Sequence, residues 1–98
     1  MNLLPEDILE KLAANNVLRD QDHPPVVKFF LPGTNGLWLF AEIEKDGDTL
    51  FGLCDWGHGT PELGYARFSE MTAIRTRIGT VIGRDLRFRT DKPMSDFV

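Results

Sequence analysis

Near the N-terminus the apolar residues recur at helical spacing. Leu4, Ile8 and Leu12 stand four apart, with Leu9 and Ala13 widening the stripe, which predicts a helix over residues 5–14. Pro5 suits a first helical position, and Glu6 and Asp7 suit the positive end of the helix dipole. Asn15-Asn16 reads as the stop. Residues 20–25 cannot be regular helix, because Pro24 and Pro25 each lack an N–H and hold the preceding residue extended.

The pattern then changes to that of strands. Val26 to Leu31 is β-branched and aromatic. Pro32-Gly33-Thr34-Asn35-Gly36 is a hairpin turn, and Leu37 to Glu44 returns as a second strand. Asp46-Gly47-Asp48 makes the next turn into a third strand, Thr49 to Asp55. Turns this short impose antiparallel pairing. In the second strand, alternation puts Leu37, Leu39, Ala41 and Ile43 on a core face, with Trp38, Phe40, Glu42 and Glu44 on the other. That second face begins aromatic and ends acidic, as though a helix covered only its first half.

Gly57 to Pro61 reads as a loop, and Tyr65 to Phe68 as a short fourth strand. Ser69 is a candidate N-cap for a helix over 70–78 ending at Gly79, with Met71, Ile74 and Ile78 on one face. Arg84 to Arg89 alternates, which predicts an edge strand with Leu86 and Phe88 inward and Asp85, Arg87 and Arg89 outward. The last nine residues read as a fraying tail in which Met94 and Phe97 are able to dock. The expected fold is therefore α+β: a four- or five-stranded, mainly antiparallel sheet with two helices packed on it, in one domain over residues 1–98.

Composition narrows the function classes. The chain has 98 residues, 42% hydrophobic and 27% charged, an ordinary globular mix. No apolar run approaches the ~20 residues of a membrane span. The start lacks the basic and apolar segments of a signal peptide, and the one cysteine, Cys54, has no internal disulfide partner, so the cytoplasm is the expected location. The net charge of −4 is unevenly spread. Residues 1–66 hold 4 Lys and Arg against 11 Asp and Glu, a balance of −7, while residues 67–98 hold 7 against 4, a balance of +3. Arg75, Arg77, Arg84, Arg87 and Arg89 form a candidate phosphate- or acid-binding face, to be set against a mixed solvated surface. Lys28, alone among apolar neighbours, pairs with a carboxylate or marks an edge.

The densest polar segment is Asp55-Trp56-Gly57-His58-Gly59-Thr60-Pro61-Glu62. Asp55, His58 and Glu62, with Asp22 and His23 as further donors, are the candidates for a divalent cation that would activate water for phosphodiester hydrolysis. The plainer reading has Asp55 accepting loop N–H groups and no metal or other cofactor bound. Cys54 is a nucleophile candidate with His58 or His23 as base, but its apolar strand favours an inert thiol. Trp38, Phe40 and Trp56 are either core or an aromatic anchor for bases or a protein.

Asp22-His23-Pro24-Pro25-Val26-Val27-Lys28, then Leu37-Trp38-Leu39 with Glu42, Phe51 to Asp55, Gly57-x-Gly59, Pro61 to Tyr65, Arg84-Asp85-Leu86 with Phe88, and Lys92 to Ser95 together resemble a family of uncharacterised function. Its members are small proteins of bacterial plasmids and integrative elements, some of them labelled single-stranded DNA endonuclease. Leu4 departs from the Thr expected before Pro5. The resemblance implies a mobile-element setting and assigns no catalytic residue. Its polar positions are Asp22, His23, Lys28, Glu42, Asp55, Glu62, Tyr65, Arg84 and Asp85. The favoured expectation is a non-enzymatic interaction module that contacts DNA or a DNA-handling protein through the arginine face, with Trp38 or Trp56 as anchor. The alternatives are a metal-dependent single-stranded DNA endonuclease and a small inhibitor of a host defence complex. Oligomeric state is left open.

Overall fold

The structure, a computed structural model, describes residues 2–98. It is an α+β fold built on one antiparallel five-stranded sheet of order β4-β3-β2-β1-β5. The strands are β1 (Val27–Phe30), β2 (Gly36–Ile43), β3 (Thr49–Trp56), β4 (Glu62–Arg67) and β5 (Gly83–Arg84). Helix α1 spans Glu6–Val17, α2 spans Phe68–Thr72, and a 3₁₀ turn covers Met94–Phe97. No helix among the described residues is long and apolar enough to cross a membrane.

Helix α1 forms on the expected stripe. Leu12 is fully buried, and Leu4, Ile8 and Leu9 pack around it. Burying one such leucine contributes about 1.5–3 kcal/mol. Pro5 is the N-cap residue rather than the first helical one, and its carbonyl accepts the Leu9 N–H at 3.0 Å. The helix also runs past Asn15-Asn16 to Val17. The reason is tertiary: β1 stops short of the end of β2, so Asn15 Nδ2 donates to the free Ala41 carbonyl at 2.9 Å.

Both faces of the sheet are covered, and the face of Trp38 and Phe40, expected to be half covered by a helix, carries the larger core. The larger core holds Trp38, Phe40, Ile43, Leu50, Cys54 and Ala66 with Val27 and Phe29, beneath α1 and Met71 of α2. The smaller one holds Leu39, Ala41 and Leu53 under Met94, with Phe88 and Phe97 against them. Ile43 joins the Trp38 side because the β2–β3 register shifts between Phe40 and Glu42. That bulge inverts the alternation for the rest of the strand. Gly52 sits opposite Phe40, where a Cβ would meet the Leu39 carbonyl oxygen at 1.9 Å. Only glycine lets β3 approach the bulge.

Three further expectations are corrected. Strand β4 begins at Glu62 and ends at Arg67, so Glu62 leaves the loop. The helix expected over 70–78 is the five-residue α2, and Ser69 lies inside it, held by Asp48, whose carboxylate accepts the Ser69 N–H at 2.8 Å and O–H at 2.7 Å. The alternating strand over 84–89 shortens to Gly83–Arg84. Beyond it the Asp85 carboxylate accepts the Arg87 N–H at 2.9 Å and turns the chain outward, leaving Leu86 64% exposed.

Candidate functional site

The β1–β5 edge gathers the cations that matter. Arg84 pairs with Phe29, so its side chain points to the α1 side of the sheet. The turn at Asp85 then returns Arg89 beside Lys11 of α1. A 180 Å³ cavity lies between them, bounded by Asp7, Lys11, Val27, Arg84, Phe88 and Arg89. It opens into a wider groove along Pro24, Pro25 and Thr90, which shares Lys11, Phe88 and Arg89.

Charges in this groove are unequally satisfied. Asp85 faces Lys28 at 3.9 Å and also accepts the Arg87 N–H. Lys11, Arg84 and Arg89 take part in no ion pair among the described residues. The Arg84 Nε–H is buried and has no hydrogen-bond acceptor. Such a donor carries an unmet desolvation cost of about 1–3 kcal/mol, and more for a charged group.

The other arginines of the predicted face do not converge on the groove. Arg75 Nη1 donates to the carbonyls of Thr72 and Ile74, both at 2.9 Å, and so ties off the end of α2. Arg77 lies in the connection that follows, and Arg87 in the exposed turn. Arg87 and Arg89 share no strand face, because the strand has ended. The two tryptophans part company as well. Trp38 is 1% exposed and belongs to the core, while Trp56 is 48% exposed and meets it edge-on at 5.2 Å between ring centroids.

Asp55 turns to its own loop, while His58 and Glu62 line a hollow that does not include it. Asp55 Oδ1 accepts the N–H groups of Gly57 at 2.9 Å, His58 at 3.1 Å and Gly59 at 3.3 Å. Gly57 (φ 102°) and Gly59 (φ 76°) supply the left-handed backbone that aims those N–H groups inward. His58 and Glu62 are exposed. Asp22 and His23 face a different segment. The Asp22 carboxylate accepts the Ser95 N–H and O–H, His23 Nε2–H donates to the Leu18 carbonyl at 2.7 Å, and the His23 carbonyl accepts the Met94 N–H. Together they pin the C-terminal turn to the sheet. No group of three His, Cys, Asp or Glu among the described residues is placed to hold a metal ion. Burial pushes the Cys54 thiol up to about 11, which keeps it protonated and unreactive.

A family model described as "Protein of unknown function (DUF2958)" matches residues 3–98. The chain belongs to that family. No match was found among curated proteins or solved structures. In this DUF2958 chain the polar positions that carried the resemblance separate into three places. Lys28, Arg84 and Asp85 stand on the β1–β5 edge. Asp22, His23 and Glu42 line one hollow over Phe51 and Met94 on the far face of the sheet. Tyr65 packs its ring 5.0 Å from that of Phe51 and lines a separate hollow with His58 and Glu62. Asp55 and Glu62 flank the glycine loop.

Sequence reasoning missed Lys11, Asn16 and Arg19. Asn16 Nδ2 donates to Glu42 Oε1 at 3.1 Å and to Glu44, and Glu42 is the one buried charged side chain among the described residues. Arg19 pairs with Glu44 at 3.3 Å and reaches the Tyr65 hydroxyl at 3.5 Å. Glu44 and that hydroxyl both hold the Arg19 proton more tightly, the hydroxyl foremost. The available signal was the polar run Asn15-Asn16 at the end of an amphipathic stripe, which reads equally well as a stop.

Proposed function

We propose that this protein is a non-enzymatic interaction module of mobile genetic elements that holds a short stretch of DNA backbone in the groove between α1 and the β5 turn. The observation that carries this reading is the Arg84 Nε–H, buried without an acceptor beside two further cations that have no ion-pair partner, Lys11 and Arg89. A phosphate oxygen would supply the missing acceptor and bring the charge that three converging cations favour. Asp7, Asp85 and Asp91 flank the groove. They confine a polyanion to a short footprint, which agrees with the modest overall charge of −4. The mobile-element setting rests on the resemblance of the sequence.

The test is fluorescence anisotropy with labelled single-stranded and duplex oligonucleotides over a range of salt. With two or three phosphates held, log K against log salt has a slope of about −1.4 to −2.1 for a single strand. Arg84→Ala weakens binding by about tenfold or more, and the double variant Arg84→Ala/Arg89→Ala flattens the slope by about one phosphate per residue. Absence of binding by the wild type at low salt, or equal binding by the double variant, removes DNA from the proposal. Strand cleavage in Mg²⁺ or Mn²⁺ that Asp55→Ala abolishes would replace the module by a metal-dependent endonuclease.

A further inference from the structure

The two edges of the sheet are built differently. On one side β5 is only two residues long, and the chain turns away at Asp85. This is the blunted edge of a protected sheet. On the other side β4 offers six residues, Glu62 to Arg67, in unbroken register with β3. It contains no proline, no lysine and no bulge.

The ladder shows which groups β4 leaves open. Phe68 N–H donates to the Asp48 carbonyl at 2.8 Å, continuing the β3–β4 register by one pair. Bonded pairs alternate along an antiparallel ladder, so Ala66, Gly64 and Glu62 bond to β3. The N–H and C=O groups of Leu63, Tyr65 and Arg67 therefore point away from the sheet, and no hydrogen bond among the described residues reaches them. Leu63 is 47% exposed and Tyr65 57% exposed, side by side on the Leu53 face.

We infer that two copies of this chain pair β4 to β4 across a two-fold axis at Gly64, continuing the five-stranded sheet into a second copy. A perpendicular two-fold must pair a residue with itself, since a register midway between two residues would put their side chains on opposite faces. With Gly64 on the axis, Leu63 of each copy stands opposite Tyr65 of the other, in the bonded pairs. A Cβ at Gly64 would meet nothing within 4 Å, so the glycine leaves the axis open for close approach. In this register Glu62 of each copy stands opposite Ala66 of the other, so no like charges meet across the axis. Moving the axis to Tyr65 would instead set Leu63 against Arg67. A second copy is the occupant whose open backbone groups and apolar side chains both match this edge, because Leu63 and Tyr65 exchange places across the axis.

The test combines sedimentation equilibrium of the full chain with site-directed cross-linking. The expected result is reversible dimerisation, reduced to the 11.1 kDa monomer in Leu63→Lys/Tyr65→Lys with the circular dichroism spectrum retained. Gly64→Cys is expected to form a disulfide-linked dimer on mild oxidation. The two Cα atoms at such a non-bonded pair lie about 4.5 Å apart, within the disulfide range of about 4.4–6.8 Å. Asn35→Cys, in the β1–β2 turn, stays uncross-linked. A monomer at every concentration overturns the inference. So does a dimer that survives Leu63→Lys/Tyr65→Lys, or one in which Gly64→Cys fails to cross-link.

Discussion

Gly52 and Gly64 face each other across β3 and β4, yet the same substitution should act oppositely at the two. A Cβ on Gly52 would lie 1.9 Å from the Leu39 carbonyl oxygen and 2.8 Å from the Phe40 Cα. Both are backbone atoms of β2, so no side-chain rotation relieves the contact. Either β2 and β3 separate or the bulge at Ala41 is lost, and losing it would turn Ile43 out of the larger core. Overpacking usually costs about 1–3 kcal/mol, and a collision with backbone belongs at the top of that range. With about 4–8 °C lost per kcal/mol in a domain of this size, Gly52→Ala should lower Tm by about 12–24 °C. Gly64 has open space and an ordinary φ. Its alanine should be neutral or stabilise by about 0.4–1 kcal/mol through the unfolded chain. Thermal unfolding followed by circular dichroism on dilute protein, with urea titration to check that the m-value is unchanged, measures both. If the two Tm values fall within a few degrees of each other, the bulge relaxes freely and the account of Gly52 is wrong.

Other predictions follow from the polar contacts. Asp55→Ala strips three N–H groups of their acceptor and should destabilise by about 1–3 kcal/mol, equally with and without Mg²⁺; recovery of Tm by the metal would contradict a purely loop-holding role. Asp46 is held down to about 2, first by the Thr49 hydroxyl and then by the Thr49 and Asp48 N–H groups. A carboxylate depressed in the folded state contributes stability that is complete above its unfolded value of about 3.9 and lost as pH falls toward its folded one. Stability should therefore drop between pH 4 and about 2, and Asp46→Asn should flatten that slope; an acid titration of Tm with the same slope in both proteins would refute it. The Cys54 thiol, pushed up to about 11 by burial, should resist Ellman's reagent in native buffer and react at once in guanidinium, whereas native-state labelling at the rate of free cysteine would show the strand to be open.

Much of the fold was legible locally, and the failures share one cause. The hairpins were readable because a turn such as Pro32-Gly33 or Asp46-Gly47 declares its geometry within a few residues. The helix over 70–78 was misread because Met71, Ile74 and Ile78 keep helical spacing, while the chain there has a distance to cover. Strands β4 and β5 lie at opposite edges of five strands, about 19 Å apart at the ~4.8 Å spacing of a sheet. A helix advances only about 1.5 Å per residue. The connection instead runs irregularly, with Ile78 over Gly33 and Thr80 Oγ1 donating to the Pro32 carbonyl at 2.7 Å. For the site, the arginine-rich C-terminal third was visible as composition. That Arg84 and Arg89 would meet Lys11 while Arg75 tied off its own helix was not.

By itself the sequence determined the α+β class, the antiparallel hairpins, the amphipathic N-terminal helix and the charge asymmetry. All of these follow from interactions within a few residues: turn chemistry, side-chain period and the running sum of charge. The tertiary structure alone decided that Ile43 joins the core of Trp38 and Phe40, because the bulge at Ala41 depends on a glycine across the sheet. It alone decided that Asp55 serves its loop and that Asp22 and His23 serve the C-terminal turn. It alone left β4 as the open edge and Arg84 Nε as the unanswered donor. The physical reason is that satisfaction of a polar group, or of a strand edge, depends on what arrives from distant parts of the chain, and no local pattern records that.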